Sequence, residues 1–376
     1  MMKAVYINKW CEEGTVADSV VFGDIPRLSE SPLVGKNVLV EVKASAINVD
    51  DVALCQDTAG GGWFFHGRKP SVENPVVGGM EYSGVVSAIG PSVVNFKVGD
   101  RVCGIQDVSM QKNPGTWAEQ TLAPEKDIVA IPEECNISFI EAAAIGMGAF
   151  VAGDMYKRAS LPLQGDVRCL VYGASGGLGT ILLQLLKNHK GANVYIVGVC
   201  SSSNDEKVRR LGASDTIDYK VAPFGKQFLQ GEKFDYVFDF VGGIEVEQGA
   251  KRLMKNGAKF ITACGPMRGI GDRQLTCCEW HGWACGLCCR IMKSSCCCCC
   301  VSTTYEMGGG MPPLKASDFN SVAVDAGIRA EIAMEVPFAE APVREAIRRV
   351  ASRHTGGKIV INMEKTETLN GQDKVS

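Results

Sequence analysis

The chain's sharpest chemical signal is Leu170-Val171-Tyr172-Gly173-Ala174-Ser175-Gly176-Gly177-Leu178-Gly179. An apolar, strand-like run enters a turn whose glycines are spaced G-x-x-G-x-x-G. The apolar stretch Thr180 to Lys187 then leaves it as a helix that stops near Gly191. Glycine permits the tight turn and lets backbone amides approach a pyrophosphate, whose charge a helix N-terminus favours. Strand, glycine turn and helix in this order are the context the motif requires. They predict a dinucleotide site lined by Ser175, Gly176, Gly177, Leu178 and Gly179.

The following strand-like run, Asn193 to Val199, ends in Cys200-Ser201-Ser202-Ser203-Asn204. In a doubly wound sheet that end meets the adenosine ribose. A carboxylate there binds both ribose hydroxyls and repels a 2′-phosphate. None stands in this tip. Ser201 can donate to a phosphate, and Lys207 and Arg209 on the helix beyond supply positive charge. The expected cofactor is therefore NADPH; the alternative use of the serines is to cap that helix.

These residues need elements to hold them. The chain has 376 residues, enough for two domains sharing a cleft. Its first third is β-rich: Val38 to Ala44 alternates, Gly84 to Gly90 is a short strand, and Val98 to Val102 carries a turn. From about Ser138 helices and strands alternate, beginning with a helix through Ala142, Ala143 and Ala144. Apolar strands follow at Arg168 to Tyr172, Asn193 to Val199, Thr216 to Tyr219, Phe234 to Phe240 and Lys259 to Thr262. Such alternation implies a parallel sheet. One more helix follows Pro312, then a strand at Ile332 to Val336, a helix at Ala341 to Ala351 and a strand at Lys358 to Asn362. The expected division is a β-rich domain over 1–137, a nucleotide domain over 138–311, and a return of the chain to the first domain over 312–376.

Lys and Arg number 39 against 42 Asp and Glu, a net charge of −3, which offers nucleic acid no general attraction. No run of about 18 uncharged apolar residues predicts a transmembrane segment. The start, Met1 to Tyr6, passes directly into a strand-like segment. The sequence as it stands is expected to be cytoplasmic, and organellar (mitochondrion or plastid) should the true N-terminus lie further upstream.

Of the 17 cysteines, ten fall between Cys277 and Cys300. The other seven sit mostly in apolar surroundings, where reduced cysteine acts as a small hydrophobe. The crowded tract admits a thiolate metal site, a lipid-modified lid or a tolerated insertion. Five consecutive cysteines cannot all converge on one metal. Trp280, Trp283 and Leu287 beside Arg290 and Lys293 leave open S-acylation and a peripheral membrane contact through 277–300. The reading adopted is that Cys296 to Cys300 with Val301 to Tyr305 forms the last parallel strand of the nucleotide domain, after a loosely packed helix near the cleft or a partner subunit.

Several phrases, in order and spacing over nearly the whole chain except roughly 270–310, resemble the zinc-free quinone-oxidoreductase branch of the medium-chain dehydrogenase/reductase superfamily. They are Val38 to Asp51, Gly79 to Gly104 with its Val98-Gly99-Asp100-Arg101-Val102 turn, Gly115-Thr116-Trp117-Ala118-Glu119, Leu211-Gly212-Ala213, Ile217-Asp218-Tyr219, Phe238 to Gly243, and Thr355 to Val360. Within that branch, the phrases at Gly173 to Thr180 and Val324 to Ile332 are most similar to the mitochondrial reticulon-interacting oxidoreductases.

The resemblance implies an α/β chain: a Rossmann doubly wound parallel-sheet nucleotide domain plus a β-rich GroES-like catalytic domain. It implies reduction of a quinone or other conjugated carbonyl compound, with homodimers common. It puts Asn48 and Asp51 at the lip of the nicotinamide pocket, Asn48 orienting a substrate oxygen and Asp51 either shaping the loop or capping its helix. Tyr219 falls beside adenine, Gly242 near the nicotinamide ribose, and Ala263 and Cys264 along the cofactor, while Tyr82 is assigned to packing. Trp63, Phe64 and Phe65 suit stacking with a quinone, or a core or lid role. Zinc-dependent relatives carry Cys in the early turn and Gly-His-Glu in the second motif; this chain has Asn48-Val49-Asp50-Asp51 and Gly79-Met80-Glu81. A metal-free site is therefore expected. No clear tyrosine proton donor follows the early turn, which leaves open both an enoyl-thioester reductase and a cofactor-binding regulatory or scaffold protein without turnover.

Overall fold

In the computed structural model the described residues are 1–30, 32–56, 70–106, 114–221, 233–268, 276–295, 303–309 and 314–365. The β-rich part contains β1 (Met2–Ile7), α1 (Val16–Ser19), β2 (Val21–Ile25), β3 (Asn37–Ile47), α2 (Val49–Cys55), β4 (Val76–Val77), β5 (Glu81–Ile89), β6 (Arg101–Ile105), β7 (Gln120–Pro124) and β8 (Ile128–Ala130). The alternating part follows: α3 (Phe139–Ala159), β9 (Asp166–Tyr172), α4 (Gly177–Lys187), β10 (Asn193–Cys200), α5 (Asp205–Arg210), β11 (Asp215–Asp218), β12 (Phe234–Asp239), α6 (Ile244–Leu253), β13 (Met254–Thr262), α7 (Cys277–Ser295) and β14 (Thr303–Met307). The chain closes with α8 (Ala316–Phe319), β15 (Ile332–Pro337), α9 (Glu340–Ala351) and β16 (Lys358–Asn362).

Among the described residues β9 to β14 form a parallel sheet in the order β11-β10-β9-β12-β13-β14. Its order reverses between β10 and β12 on either side of β9, so a crevice opens at the carboxyl ends of these strands. The strands are apolar on both faces, as helices on both sides of a parallel sheet require. Leu170, Val197, Val237 and Phe260 are buried on one side, and Cys169, Val171, Ile196 and Ile261 on the other.

The second large sheet runs β15-β16-β3-β5-β6-β8, with β7 also paired to β3. β16 lies antiparallel to β3 with Ile359 opposite Ile47, and β3 lies antiparallel to β5 with Ala46 opposite Glu81. This register gathers Lys358, Asn48 and Glu81 at one end of three neighbouring strands. The two sheets share α3, whose N-cap Ser138 accepts from Glu141 N–H while Glu141 accepts from Ser138 N–H. α3 is long and apolar enough to cross a bilayer, but it is the buried helix between the sheets.

The cysteine tract divides in two. Residues 296–302 lie outside the described residues, as do Trp63, Phe64 and Phe65. Thr303–Met307 is a parallel strand beside β13. The preceding segment is α7, held by its underside: Leu287 packs on the nucleotide-domain core, Arg290 Nε donates to the buried Glu247 at 2.6 Å, and Trp283 lies against Gly265. Cys278, Cys285, Cys288 and Cys289 face solvent. Of the scattered cysteines, Cys11, Cys55, Cys103, Cys135, Cys169 and Cys200 are buried and Cys264 is half-buried. Tyr82 is fully buried among Val38, Val40 and Val86.

Serine is no worse a helix former than cysteine, and the four exposed thiols carry none of the contacts that seat α7. Replacing Cys278, Cys285, Cys288 and Cys289 together by Ser is expected to leave the melting temperature and cofactor affinity unchanged. Trp283→Ala should cost about 2 kcal/mol. A quadruple variant that melts well below wild type would show that α7 is held from its outer face.

Candidate active site

The glycine turn sits at the crevice. β9 delivers Gly173, whose carbonyl accepts Gly176 N–H at 3.0 Å, and α4 begins at Gly177. A Cβ at Gly179 would lie 2.2 Å from the Gly173 carbonyl oxygen, so the turn closes only around glycine. The first-turn amides of α4 have no carbonyl one turn earlier within the helix and point to the place a phosphate would take. Ser175, Gly176, Gly177 and Leu178 are half-buried there, and Gly179 is buried. The turn therefore fits the pyrophosphate of a nicotinamide dinucleotide.

The tip after β10 differs in part from the sequence expectation. Ser201 is buried to 9% exposure and its hydroxyl lies 2.9 Å from that of Ser203 and 3.0 Å from the Asn204 amide donor. Lys207 donates to the Gly356 carbonyl, and burial lowers its affinity for a proton. Arg209 does not face the tip: its guanidinium is paired with Asp205 at 3.1 Å and Asp215 at 2.8 Å. The strand carries no carboxylate, yet the next one does. Asp218, at the end of β11, accepts Ser202 N–H at 2.9 Å, and the N–H groups of Lys220 and Ser202 hold it below the usual carboxylate range. Tyr219 follows it, 44% exposed, its N–H directed to the Cys200 carbonyl.

Opposite the glycine turn, the loop after β12 is built by a carboxylate the sequence reading left without a role. Asp239 is buried; its Oδ1 accepts Val241 N–H and Gly242 N–H, each at 2.9 Å, and its Oδ2 accepts the Thr262 hydroxyl at 2.9 Å. The Thr262 oxygen in turn accepts Cys264 N–H at 3.1 Å and Gly265 N–H at 3.0 Å. Gly242 adopts φ +77°, and a Cβ there would lie 2.7 Å from that of Cys264. Ala263 N–H donates to the Asp239 carbonyl, and burial pushes the Cys264 thiol up to about 12. Gly242, Ala263 and Cys264 thus form one edge of backbone fixed from beneath.

At the β-rich lip, Asn48 is the N-cap of α2. Its amide does not face an empty pocket: Nδ2 donates to Glu81 Oε2 at 3.1 Å, and Oδ1 accepts from Lys358 Nζ at 2.6 Å. Lys358 Nζ also lies 2.5 Å from Glu81 Oε2, and both residues are buried. The nitrogen of the Asn48 amide keeps a second N–H, while its side chain also faces the Asp51 backbone N–H in the capping box of α2. Asp51 accepts Asn48 N–H at 2.7 Å and so caps α2, while its other oxygen, Oδ1, is buried without a partner among the described residues. Burial pushes the Asp51 carboxyl up to about 8 against the opposing pull of that N–H. Glu81, Lys358, Asp239 and Thr262 were absent from the sequence-level assignment. The available signal was a polar or charged residue at the end of a largely apolar strand.

A Rossmann-ordered sheet with a glycine phosphate turn, closed by a β-rich domain, defines a nicotinamide-dependent oxidoreductase. Residues 35–133 match the alcohol dehydrogenase GroES-like domain and 177–272 the zinc-binding dehydrogenase domain. The mitochondrial NAD(P)H oxidoreductase RTN4IP1 of Danio rerio is 31% identical over 344 residues, covering 87% of this chain and 83% of that protein. A chloroplastic NADPH-dependent alkenal/one oxidoreductase of Arabidopsis thaliana is 28% identical over 256 residues, 66% of this chain and 59% of its own length. The solved quinone oxidoreductase of Coxiella burnetii superposes with a TM-score of 0.71 at 21% identity, over 96% of this chain and 99% of that one. The chain belongs to the medium-chain dehydrogenase/reductase superfamily, as a relative of the RTN4IP1 NAD(P)H oxidoreductases.

Zinc does not suit the lip. Met80 offers a thioether and Asn48 an amide already held at both ends, and the Glu81 charge is met by an ammonium. Among the described residues no group of three or more His, Cys, Asp or Glu is arranged to hold a metal.

With its folded-state pKa raised to about 8, Asp51 keeps its proton in the native protein over a range where the unfolded chain, ionising near 4, has lost it. Rising pH across that window therefore lowers stability by about 1.4 kcal/mol per unit, levelling off above it. Asp51→Asn is neutral throughout and retains an acceptor for Asn48 N–H. Its stability advantage in urea unfolding should grow from pH 5 to pH 8; an equal difference at both pH values would refute a buried acid.

Proposed function

We propose that the chain reduces a quinone or another conjugated carbonyl compound with NADPH, independently of zinc. The observation that carries this reading is the Asn48–Glu81–Lys358 cluster, which among the described residues leaves the pocket lip without a donor set for a Lewis acid. An unactivated alcohol or ketone needs such an ion or a placed general acid or base; an acceptor made electrophilic by its own conjugation depends on neither to the same degree. The names of the plant alkenal/one oxidoreductase and the Coxiella quinone oxidoreductase support the same acceptor class.

When bound, the nicotinamide supplies hydride. The chain's own residues do the rest. The amides of the glycine turn hold the phosphates, the Gly242 and Ala263–Cys264 edge seats the cofactor against β12 and β13, and the remaining amide hydrogen of Asn48 orients the acceptor oxygen. Asp51 fixes the start of α2 and hence the Asn48 backbone. The main contribution is to hold donor and acceptor in contact away from water. The proton reaches the reduced oxygen from solvent.

The test is NADPH oxidation with quinones, enones and enoyl thioesters, with cofactor binding measured separately. Turnover of quinones or enones, undiminished by chelators in a preparation without stoichiometric zinc, is expected. Turnover confined to enoyl thioesters would move the substrate class, tight cofactor binding without any turnover would favour a scaffold, and loss of activity with removed zinc would overturn metal independence.

The preference for NADPH rests on Ser201 and on a β10 tip without a carboxylate, and Asp218 opposes it from the neighbouring strand. Asp218→Asn keeps an acceptor for Ser202 N–H while deleting the charge. It is expected to tighten NADPH several-fold and leave NADH within twofold; equal wild-type affinities with no response to this substitution would remove the electrostatic argument.

A further inference from the structure

Glu81 is fully buried and each of its oxygens is committed to a different part of the molecule. Oε1 accepts Met147 N–H at 2.6 Å, in the middle of α3, where Gly146 leaves room: a Cβ there would lie 3.1 Å from Oε1. Oε2 receives Asn48 Nδ2 and Lys358 Nζ together. Lys358 reaches further. A Cβ added to Gly177 would lie 2.6 Å from its Cδ, so the lysine stem rests on the first residue of the glycine-turn helix α4. One carboxylate therefore ties the shared helix α3, the lip residue Asn48 and, through Lys358, the start of α4.

We propose that Glu81 is a positioning residue for hydride transfer: with Lys358 it fixes the amide plane of Asn48 and its distance from the glycine turn. Glu81 touches neither substrate nor cofactor in this role and acts through Asn48. The geometry also orients the amide unambiguously. An ammonium can meet only the Asn48 oxygen and a carboxylate can meet only its nitrogen, so exchanging the two ends of the amide would oppose like partners on both sides. A neutral cluster would leave that choice to solvent and substrate.

The role rests on the proposed reductase function, and a mutant cycle separates the two. Glu81→Gln, Asn48→Ala and their combination are compared in kcat, KM and the primary isotope effect with 4-deuterated NADPH, using a quinone that wild type turns over. Because Glu81→Gln strands the Lys358 charge, the paired Glu81→Gln/Lys358→Met variant supplies a neutral cluster free of that penalty. Glu81→Gln and the paired variant should each lose at least tenfold in kcat with a larger isotope effect, while still binding one NADPH per chain. Adding Glu81→Gln to Asn48→Ala should cost no more than a further twofold, because both act through one group. Multiplicative losses in that cycle, or a paired variant with wild-type kcat and isotope effect, would reduce Glu81 to a structural ion pair and leave the reductase reading intact. A wild-type chain that binds NADPH but reduces no quinone, enone or enoyl thioester would sink both.

Discussion

The contact on which the arrangement turns is the buried ammonium–carboxylate pair between Lys358 and Glu81. Removing two charges from water is costly, and in the interior each is tolerable only beside the other. Leaving one of them alone typically costs about 3–5 kcal/mol. The cost acts on strand register. β16 and β5 flank β3, and a slip of one residue in either would turn Lys358 or Glu81 to the opposite face of the sheet. The pair thus fixes how the chain's last strand rejoins the β-rich domain, and Asn48, at the end of β3, is fixed with it.

A second constraint works inside the nucleotide domain. The glycine turn presents amides on one side of the crevice, and the Asp239–Thr262 network presents ordered backbone on the other. Neither wall depends on a long, mobile side chain. The surface of the crevice is mainly main chain held by buried polar groups, which would suit a site that must keep the same geometry while hydride donors and acceptors come and go. α3 lies against both sheets and carries the fixed geometry of one wall to the other.

Much of this architecture was legible in residue order. The strand at Lys358 to Asn362 begins and ends where the periodicity put it, and Gly173 to Gly179 announced the phosphate turn because strand, turn and helix are contiguous in sequence. The lip was harder to read. Asn48 carries its neighbourhood from residues 33 and 310 positions away, and no local pattern reports that Lys358 will meet its carbonyl or Glu81 its amide nitrogen. The β10 tip failed for the same reason: Asp218 is 16 residues from Ser202 and arrives only because β11 is the adjacent strand. Arg209 looked available as a phosphate ligand, but the acidic residues flanking it on α5 and β11 take its charge. Single-sequence reading recovers what is contiguous or periodic and misses what tertiary pairing supplies.

Two of the buried carboxylates of the crevice, Asp239 and Glu81, show why pairing matters more than burial. Asp239 is satisfied by two backbone N–H groups of its own loop and by the Thr262 hydroxyl of the adjacent strand β13, all neutral, and burial raises its affinity for a proton despite them. Its influence is local: it shapes Gly242 and, through Thr262, Cys264. Glu81 instead meets a full positive charge brought from the far end of the chain and a helix amide from between the sheets. Neutral donors can stiffen a loop, but they exert little pull beyond hydrogen-bond contact. An opposite charge can hold together elements that share no backbone hydrogen bonds. The nucleotide wall is therefore assembled from neighbouring strands of one domain. The lip requires the chain to return, and β16 must already be in register before the Asn48 amide is held in one orientation.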